Sequence, residues 1–118
     1  MRSDSGSATV WWAALGALLW FATLAVLATA AARLDRDRAT TAADLAALAA
    51  AAGAVHGTER ACAQARDTAE ANRAFLESCV LTGATVEVVV SVPSSLIDRS
   101  VPARSRAGPA AVSSEEVE

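Results

Sequence analysis

The chain has 118 residues, 53% of them hydrophobic but only 4% aromatic, and a formal net charge of −3. Alanine is the largest contributor to the hydrophobic content, and it buries little area, so any soluble core of this chain is expected to be thin. The arginines are interspersed with acidic residues rather than gathered in one stripe, which excludes the basic footprint of a nucleic-acid-binding protein.

The first predicted element is a transmembrane segment at residues 8–32, preceded by an N-terminal leader or cytoplasmic tip at residues 1–7. No charged residue occurs in the segment. As a helix its roughly 25 residues would measure about 37 Å, enough to cross a hydrocarbon core of about 30 Å. Trp11 and Trp12 lie near its start, where amphipathic rings favour the headgroup level.

Two residues of this segment are candidate assembly contacts. Gly16 lies among alanines, and small residues on one face let a second helix approach closely. Trp20 falls near the middle of the segment, where it would pack against lipid or a partner. The alternative for Gly16 is that the small face reflects only the alanine-rich composition of the chain.

The fate and orientation of the segment are both open. Arg2, the apolar run and the small residues at 28-ATA-30 also fit a secretory signal peptide cleaved near Ala30, although the run is long for one. Three arginines follow the segment, in 33-RLDRDR-38, and by the positive-inside rule they would place the C-terminal part in the cytoplasm. Cysteine usage favours export of that part, which is the orientation we expect.

The apolar segment is predicted to continue as one helix over about 8–52, because no proline or glycine interrupts residues 33–52. Four apolar residues fall at steps of three, four and three, on one face of a helix: Leu45, Leu48, Ala52 and Val55. This face is expected to cover a sheet. Asp44 lies on another side, where it is either solvated or paired with a basic residue of a neighbouring subunit.

A second helix is predicted at about 58–73, followed by a small antiparallel sheet at about 76–92. The sheet is indicated by alternating valines and by a turn signal at 82-TG-83. Residues 93–102 are interpreted as a loop, residues 103–107 as a third, edge strand, and residues 108–118 as a disordered acidic tail. The fold class is therefore α+β and membrane-anchored, with a small exported domain at residues 33–107.

Cys62 and Cys79 are the only cysteines, one on the second helix and one on the first strand. A disulfide between them would brace a thin core in an oxidising compartment; two free thiols and a metal pair are the alternatives. The only histidine is His56, in a glycine-flanked turn, and there is no C-x-x-C motif. No catalytic, cofactor-binding or metal-binding constellation is predicted, so we expect a non-enzymatic protein without a small-molecule substrate.

Several short motifs occur in an order that resembles one family: 6-GSATVWW-12, 38-RATTAADLAALAAA-51, 61-AC-62, 78-SC-79 and 104-RSRAGP-109. They resemble TadE-like, pilin-like proteins of the tight-adherence (Flp-type) pilus and secretion system, and most of all the small actinobacterial TadE-like subgroup. The resemblance implies a minor pilin-like or pseudopilin-like component with its sheet outside the cell. Its implied partners are the membrane, other pilin-like subunits, and the secretion ATPase and platform proteins.

The resemblance also implies a processing site. Related prepilins are cut after a glycine, which here is the bond between Gly6 and Ser7, but Trp11 stands where pilin-type signals usually carry glutamate. Two other functions remain open. One is a secreted, soluble partner-binding protein released by cleavage near Ala30, and the other is a small regulatory membrane subunit with its domain in the cytoplasm.

Overall fold

The structure is a computed structural model that describes residues 4–109, with side chains from residue 6 onward. Its elements, in chain order, are helix α1 (Asp4–Gly53), a short 3-10 turn (Ala54–His56), helix α2 (Thr58–Ala71), and strands β1 (Phe75–Thr82), β2 (Thr85–Pro93) and β3 (Ser100–Ala107). The predicted α+β fold with one long apolar N-terminal helix is confirmed. Residues 1–3 of the predicted leader and residues 110–118 of the predicted tail lie outside the described residues, whereas residues 4–7 belong to α1.

Helix α1 is unbroken over 50 residues, a length of about 75 Å. Residues 6–30 are all exposed, and the most apolar 18-residue window has a mean hydropathy of 2.0 with none of it buried. By length and composition, α1 is the one helix of residues 6–109 that could cross a membrane. Burial within the protein begins at Ala31, so the second half of α1 belongs to the folded domain.

The three strands form one antiparallel sheet with β2 in the centre. Alternate residues of β2 point toward the helices and are buried: Val86, Val88, Val90 and Val92. The edge strand β3 is longer than predicted, because it begins at Ser100 and pairs with β2 along its whole length. The prediction of a loop over residues 93–102 was therefore wrong at both ends. Pro102 is compatible with the strand because an edge strand has one side without ladder partners.

The face of α1 that packs on the sheet and on α2 consists of alanine, so the prediction of a leucine-marked packing face was wrong. The buried residues of this face are Ala39, Ala42, Ala43, Ala46, Ala47 and Ala50. Leu48 is 61% exposed and Val55 is 86% exposed. A methyl side chain keeps the helix axis close to both neighbours, whereas leucine at the same positions would hold it away.

Small residues also determine how α1 meets α2. Gly53, the last residue of α1, is buried, and a Cβ atom built on it would lie 3.3 Å from the Cα atom of Ala61. Gly57 adopts a φ of 101°, which favours glycine, and so lets the chain reverse into α2. Helix α2 in turn buries only alanines, at positions 61, 65 and 69. The two helices therefore pack nearly backbone against backbone.

The packing face can be tested with a pair of neighbouring substitutions. Ala47→Leu should lower the free energy of unfolding by about 1–3 kcal/mol, because the added atoms have no space between α1 and its neighbours. Leu48→Ala, at an exposed position, should change it by no more than about 0.5 kcal/mol. Urea unfolding of the full chain in detergent micelles, followed by circular dichroism, measures both. If Leu48→Ala lowered the free energy of unfolding more than Ala47→Leu did, the leucines rather than the alanines would form the packing face.

Candidate functional site

The most constrained polar side chain lies just beyond the apolar stretch of α1. Asp35 is only 2% exposed, and its Oδ2 atom accepts hydrogen bonds from the backbone N–H of Ser95 and from the Ser95 hydroxyl, both at 2.8 Å. The hydroxyl of Ser94 donates a longer bond of 3.4 Å to the same oxygen. These bonds attach the loop between β2 and β3 to the helix. We call Asp35, Ser94 and Ser95 the clamp.

The clamp favours the ionised form of Asp35. The backbone N–H of Ser95 is the main reason that the pKa of Asp35 lies below its ordinary value of 3.8, and the Ser95 hydroxyl acts in the same direction. Partial removal from water opposes this shift, while the Ser94 hydroxyl and the charge of Arg38 add to it. Asp35 is therefore a charged, internally satisfied group at the level where the apolar run ends.

A second carboxylate ties the sheet to α1 farther from the apolar segment. The hydroxyl of Ser105, on β3, donates a hydrogen bond of 2.6 Å to Oδ1 of Asp44. Asp44 is exposed, as predicted, but its partner belongs to its own chain. Contact between Asp44 and a neighbouring subunit stays a prediction. To make such a contact, the carboxylate would have to keep its hydrogen bond from Ser105 or exchange it for one from the partner.

The two cysteines form a disulfide that joins α2 to β1. Cys62 and Cys79 are 17 positions apart, and their Cα atoms are separated by 5.8 Å. The pairing is the one expected from their placement on a helix and on the strand that it covers. It closes the side of the domain opposite β3, since α2 packs on β1 and α1 packs on β3.

The other predicted assembly and processing residues all lie on the exposed part of α1. Gly16 has no heavy atom within 4 Å of a Cβ built on it, and Trp20 is 66% exposed. Gly6 and Ser7 are exposed and helical, within the first turns of α1. The fold therefore separates these residues from the clamp and the disulfide, and their roles in packing or processing stay predictions.

The face of the sheet turned away from the helices carries a charge cluster. Glu87 on β2 forms ion pairs with Arg104 and Arg106 on β3. The hydrogen bond from Arg106 is the main reason that the pKa of Glu87 lies below its ordinary value of 4.5. The two arginine side chains are largely solvent-exposed and that of Glu87 is half-buried, so each pair contributes little stability and mainly keeps this face polar. Among the described residues, no group of three His, Cys, Asp or Glu side chains could hold a metal ion.

Comparison with known protein families matches part of the chain. Residues 6–53 match the family model described as putative Flp pilus-assembly TadE/G-like, which covers α1 almost entirely but less than half of the chain. No curated protein and no solved structure matches the chain. The match supports the TadE-like resemblance of α1. The motifs that favour the actinobacterial subgroup lie partly beyond it, at residues 61–109, so that narrower assignment stays a prediction.

The clamp predicts a pH dependence of stability. Because the pKa of Asp35 is lowered by folding, its contribution is complete above its ordinary value of 3.8 and is lost as pH falls through the still lower value of the folded state. Asp35→Asn should therefore lower Tm near neutral pH. The difference in Tm between this variant and the parent protein, here called the gap, should become smaller below about pH 4.

Thermal unfolding of the full chain in micelles over this pH range measures the gap. Asp37→Asn serves as a control, because Asp37 is an exposed neighbour on the same helix, and it should change Tm little at neutral pH. A gap for Asp35→Asn that stays constant from neutral to acid pH would contradict the role of the ionised clamp.

The disulfide is expected to contribute strongly to so thin a core. Replacing both Cys62 and Cys79 by alanine should lower the free energy of unfolding by about 3 kcal/mol, the loop-entropy value for a closed loop of this length. Urea unfolding with and without reductant provides the comparison. Reductant should lower the free energy of unfolding of the parent by a similar amount and leave that of the double variant unchanged. Equal urea midpoints for the oxidised parent and the double variant would contradict a stabilising role of the disulfide.

Proposed function

We propose that this chain is a minor pilin-like or pseudopilin-like structural component of a Tad/Flp-type pilus or secretion apparatus, and that it acts by helix packing and assembly. The observation that carries the proposal is the coincidence of the pilus-assembly match with α1. The matched residues 6–53 include both the exposed apolar stretch and the alanine face that holds the domain. In this arrangement α1 both anchors the chain and presents its domain.

The exposed stretch of α1 requires an apolar environment. Residues 8–30 leave large side chains uncovered, among them Trp11, Trp12 and Phe21, each at least 65% exposed. Lipid and the helices of other subunits are the surroundings that would cover them. The small face around Gly16 is where another pilin-like helix would approach, and Trp20 lies one turn farther along. Further partners in this proposal are the secretion ATPase and platform proteins of the same system.

The orientation in this proposal places residues 33–107 outside the cytoplasm. The Cys62–Cys79 disulfide supports it, because such bonds persist in oxidising compartments. The arginines that follow the apolar stretch favour the opposite orientation, with the domain in the cytoplasm as in a regulatory subunit. A reduced pair of thiols would be needed in that case, and the domain would lose the covalent link between α2 and β1.

One observation favours a second candidate, a secreted soluble protein. Burial within the domain begins at Ala31, so cleavage near Ala30 would remove the exposed apolar stretch and leave every buried residue of the domain in place. The product would carry the clamp, the disulfide and the complete sheet. It would act by binding a partner away from the membrane of the producing cell.

Fractionation and affinity purification of the tagged full chain test the proposal. The chain should be recovered from membranes with its apolar stretch retained, together with pilin-like subunits. Gly16→Leu should reduce that recovery several-fold, because the added side chain keeps a partner helix away. Leu18→Ala, on nearly the opposite side of α1, should leave it unchanged. Soluble material in the medium that begins at Ala31 would instead establish the second candidate.

A further inference from the structure

The loop at residues 94–99 lies beside the end of the apolar stretch of α1. Its two apolar side chains, Leu96 and Ile97, are 52% and 59% exposed. They share a hollow of ≈ 430 Å³ with Ala32 and Arg33 of α1. The loop tip is therefore level with the point at which the uncharged run of α1 gives way to arginine. Leu96 and Ile97 are therefore exposed to the same surroundings as the end of the uncharged stretch of α1.

The clamp fixes the loop at this level. Asp35 holds Ser95 through both its backbone N–H and its hydroxyl, and it lies only three residues beyond Ala32. At the other end of the domain, Ser105 is tied to Asp44, so β3 is held to α1 by a hydrogen bond there and by the clamp beside its start. The loop consequently cannot slide along the helix without breaking these bonds.

The backbone of the loop is suited to an environment with little water. The N–H of Ser94 donates to the carbonyl of Arg99, and the N–H of Arg99 donates to the carbonyl of Ile97, both at 2.8 Å. The N–H of Leu96 donates to the Ser94 hydroxyl at 3.3 Å, and that of Ser95 is bound by Asp35. These bonds satisfy the N–H groups of Ser94, Ser95, Leu96 and Arg99, which lowers the cost of placing this part of the loop against an apolar phase.

The charges around the hollow favour a membrane surface. Arg33 and Arg36 line it, and Arg99 lies in the loop itself. Long arginine side chains at the end of a spanning helix extend to the headgroup level while their methylene stems stay in apolar surroundings. Counting Arg38 as well, the positive charges are nearly balanced by those of Asp35, Asp37 and Asp98, so attraction to anionic lipid is not the main driving force. The apolar pair supplies it.

We infer that Leu96 and Ile97 insert into the interfacial region of the bilayer and form a second membrane contact beside α1, with the clamp setting their depth. The inference rests on the membrane anchoring in the proposed function. It adds that the domain is seated on the lipid surface rather than suspended from the helix alone. The ligand is the lipid of the bilayer itself, at the boundary between headgroups and acyl chains.

Nitroxide spin labels at introduced cysteines test this inference in the full, disulfide-bonded chain. The label is placed at Ile97→Cys, at Phe21→Cys in the apolar stretch, and at Val55→Cys as a control. Val55 is an exposed apolar residue about 35 Å along the helix from Ala32, by the rise of 1.5 Å per residue. Collision with oxygen, which concentrates in lipid, is compared with collision with a water-soluble nickel chelate in phosphatidylcholine vesicles.

The oxygen-to-nickel accessibility ratio at position 97 should be several-fold higher than at position 55 and lower than at position 21. It should change little when phosphatidylglycerol is added, because the contact is apolar. Equal ratios at positions 97 and 55, with a lipid-like ratio at 21, would overturn the loop contact while the anchored helix stands. An aqueous ratio at position 21 as well would overturn both the anchoring and the loop contact. A label at 97 that is shielded from both reagents would show burial against protein, and it would overturn the lipid assignment.

Discussion

The closeness with which α1 approaches its neighbours is the constraint on which the domain depends. Apart from Asp35, the buried face of α1 consists of alanines and one glycine. Helix α2 contributes only alanines to the core, and the largest fully buried side chains are three valines of β2. Such a core gains little from the burial of apolar area, so its stability must come from dense contact and from covalent and polar links. This explains why the larger apolar residues of α1 point outward: they cannot be accommodated where the backbones nearly touch.

The links around this thin core are placed on opposite sides of it. The disulfide joins α2 to β1, while the hydrogen bonds of Asp35 and Asp44 join α1 to the chain just after the end of β2 and near the end of β3. Together they prevent the sheet from rotating or sliding under the helices, a movement that alanine packing alone would resist weakly because small side chains interlock poorly. The disulfide and these hydrogen bonds thus fix the position of the sheet relative to the helices, which a core of large side chains would otherwise fix.

Much of the fold could be predicted from the sequence, and the failures have physical reasons. Uninterrupted helix formers predicted the length of α1, alternating valines predicted β2, and the positions of the cysteines predicted their pairing. The packing face was missed because periodicity was read from leucine, whereas alanine at the same periodicity fills a narrower space. The start of β3 is hard to predict because proline, as at Pro102, is disfavoured within strands. The clamp could not be foreseen, since Asp35 lies among alternating arginines and its partners are 59 and 60 positions away.

The continuity of α1 has a mechanical consequence. No break in α1 separates the apolar stretch from the domain, so the helix fixes the rotation and the height of the domain relative to that stretch. One residue inserted between Arg33 and the clamp would turn the domain by about 100° around the helix axis and raise it by about 1.5 Å. If the apolar stretch spans a bilayer, a tilt or rotation of the helix within the bilayer would also tilt or rotate the sheet, because both are attached to the same continuous helix. The continuous helix therefore couples the position of the apolar stretch to the position of the sheet.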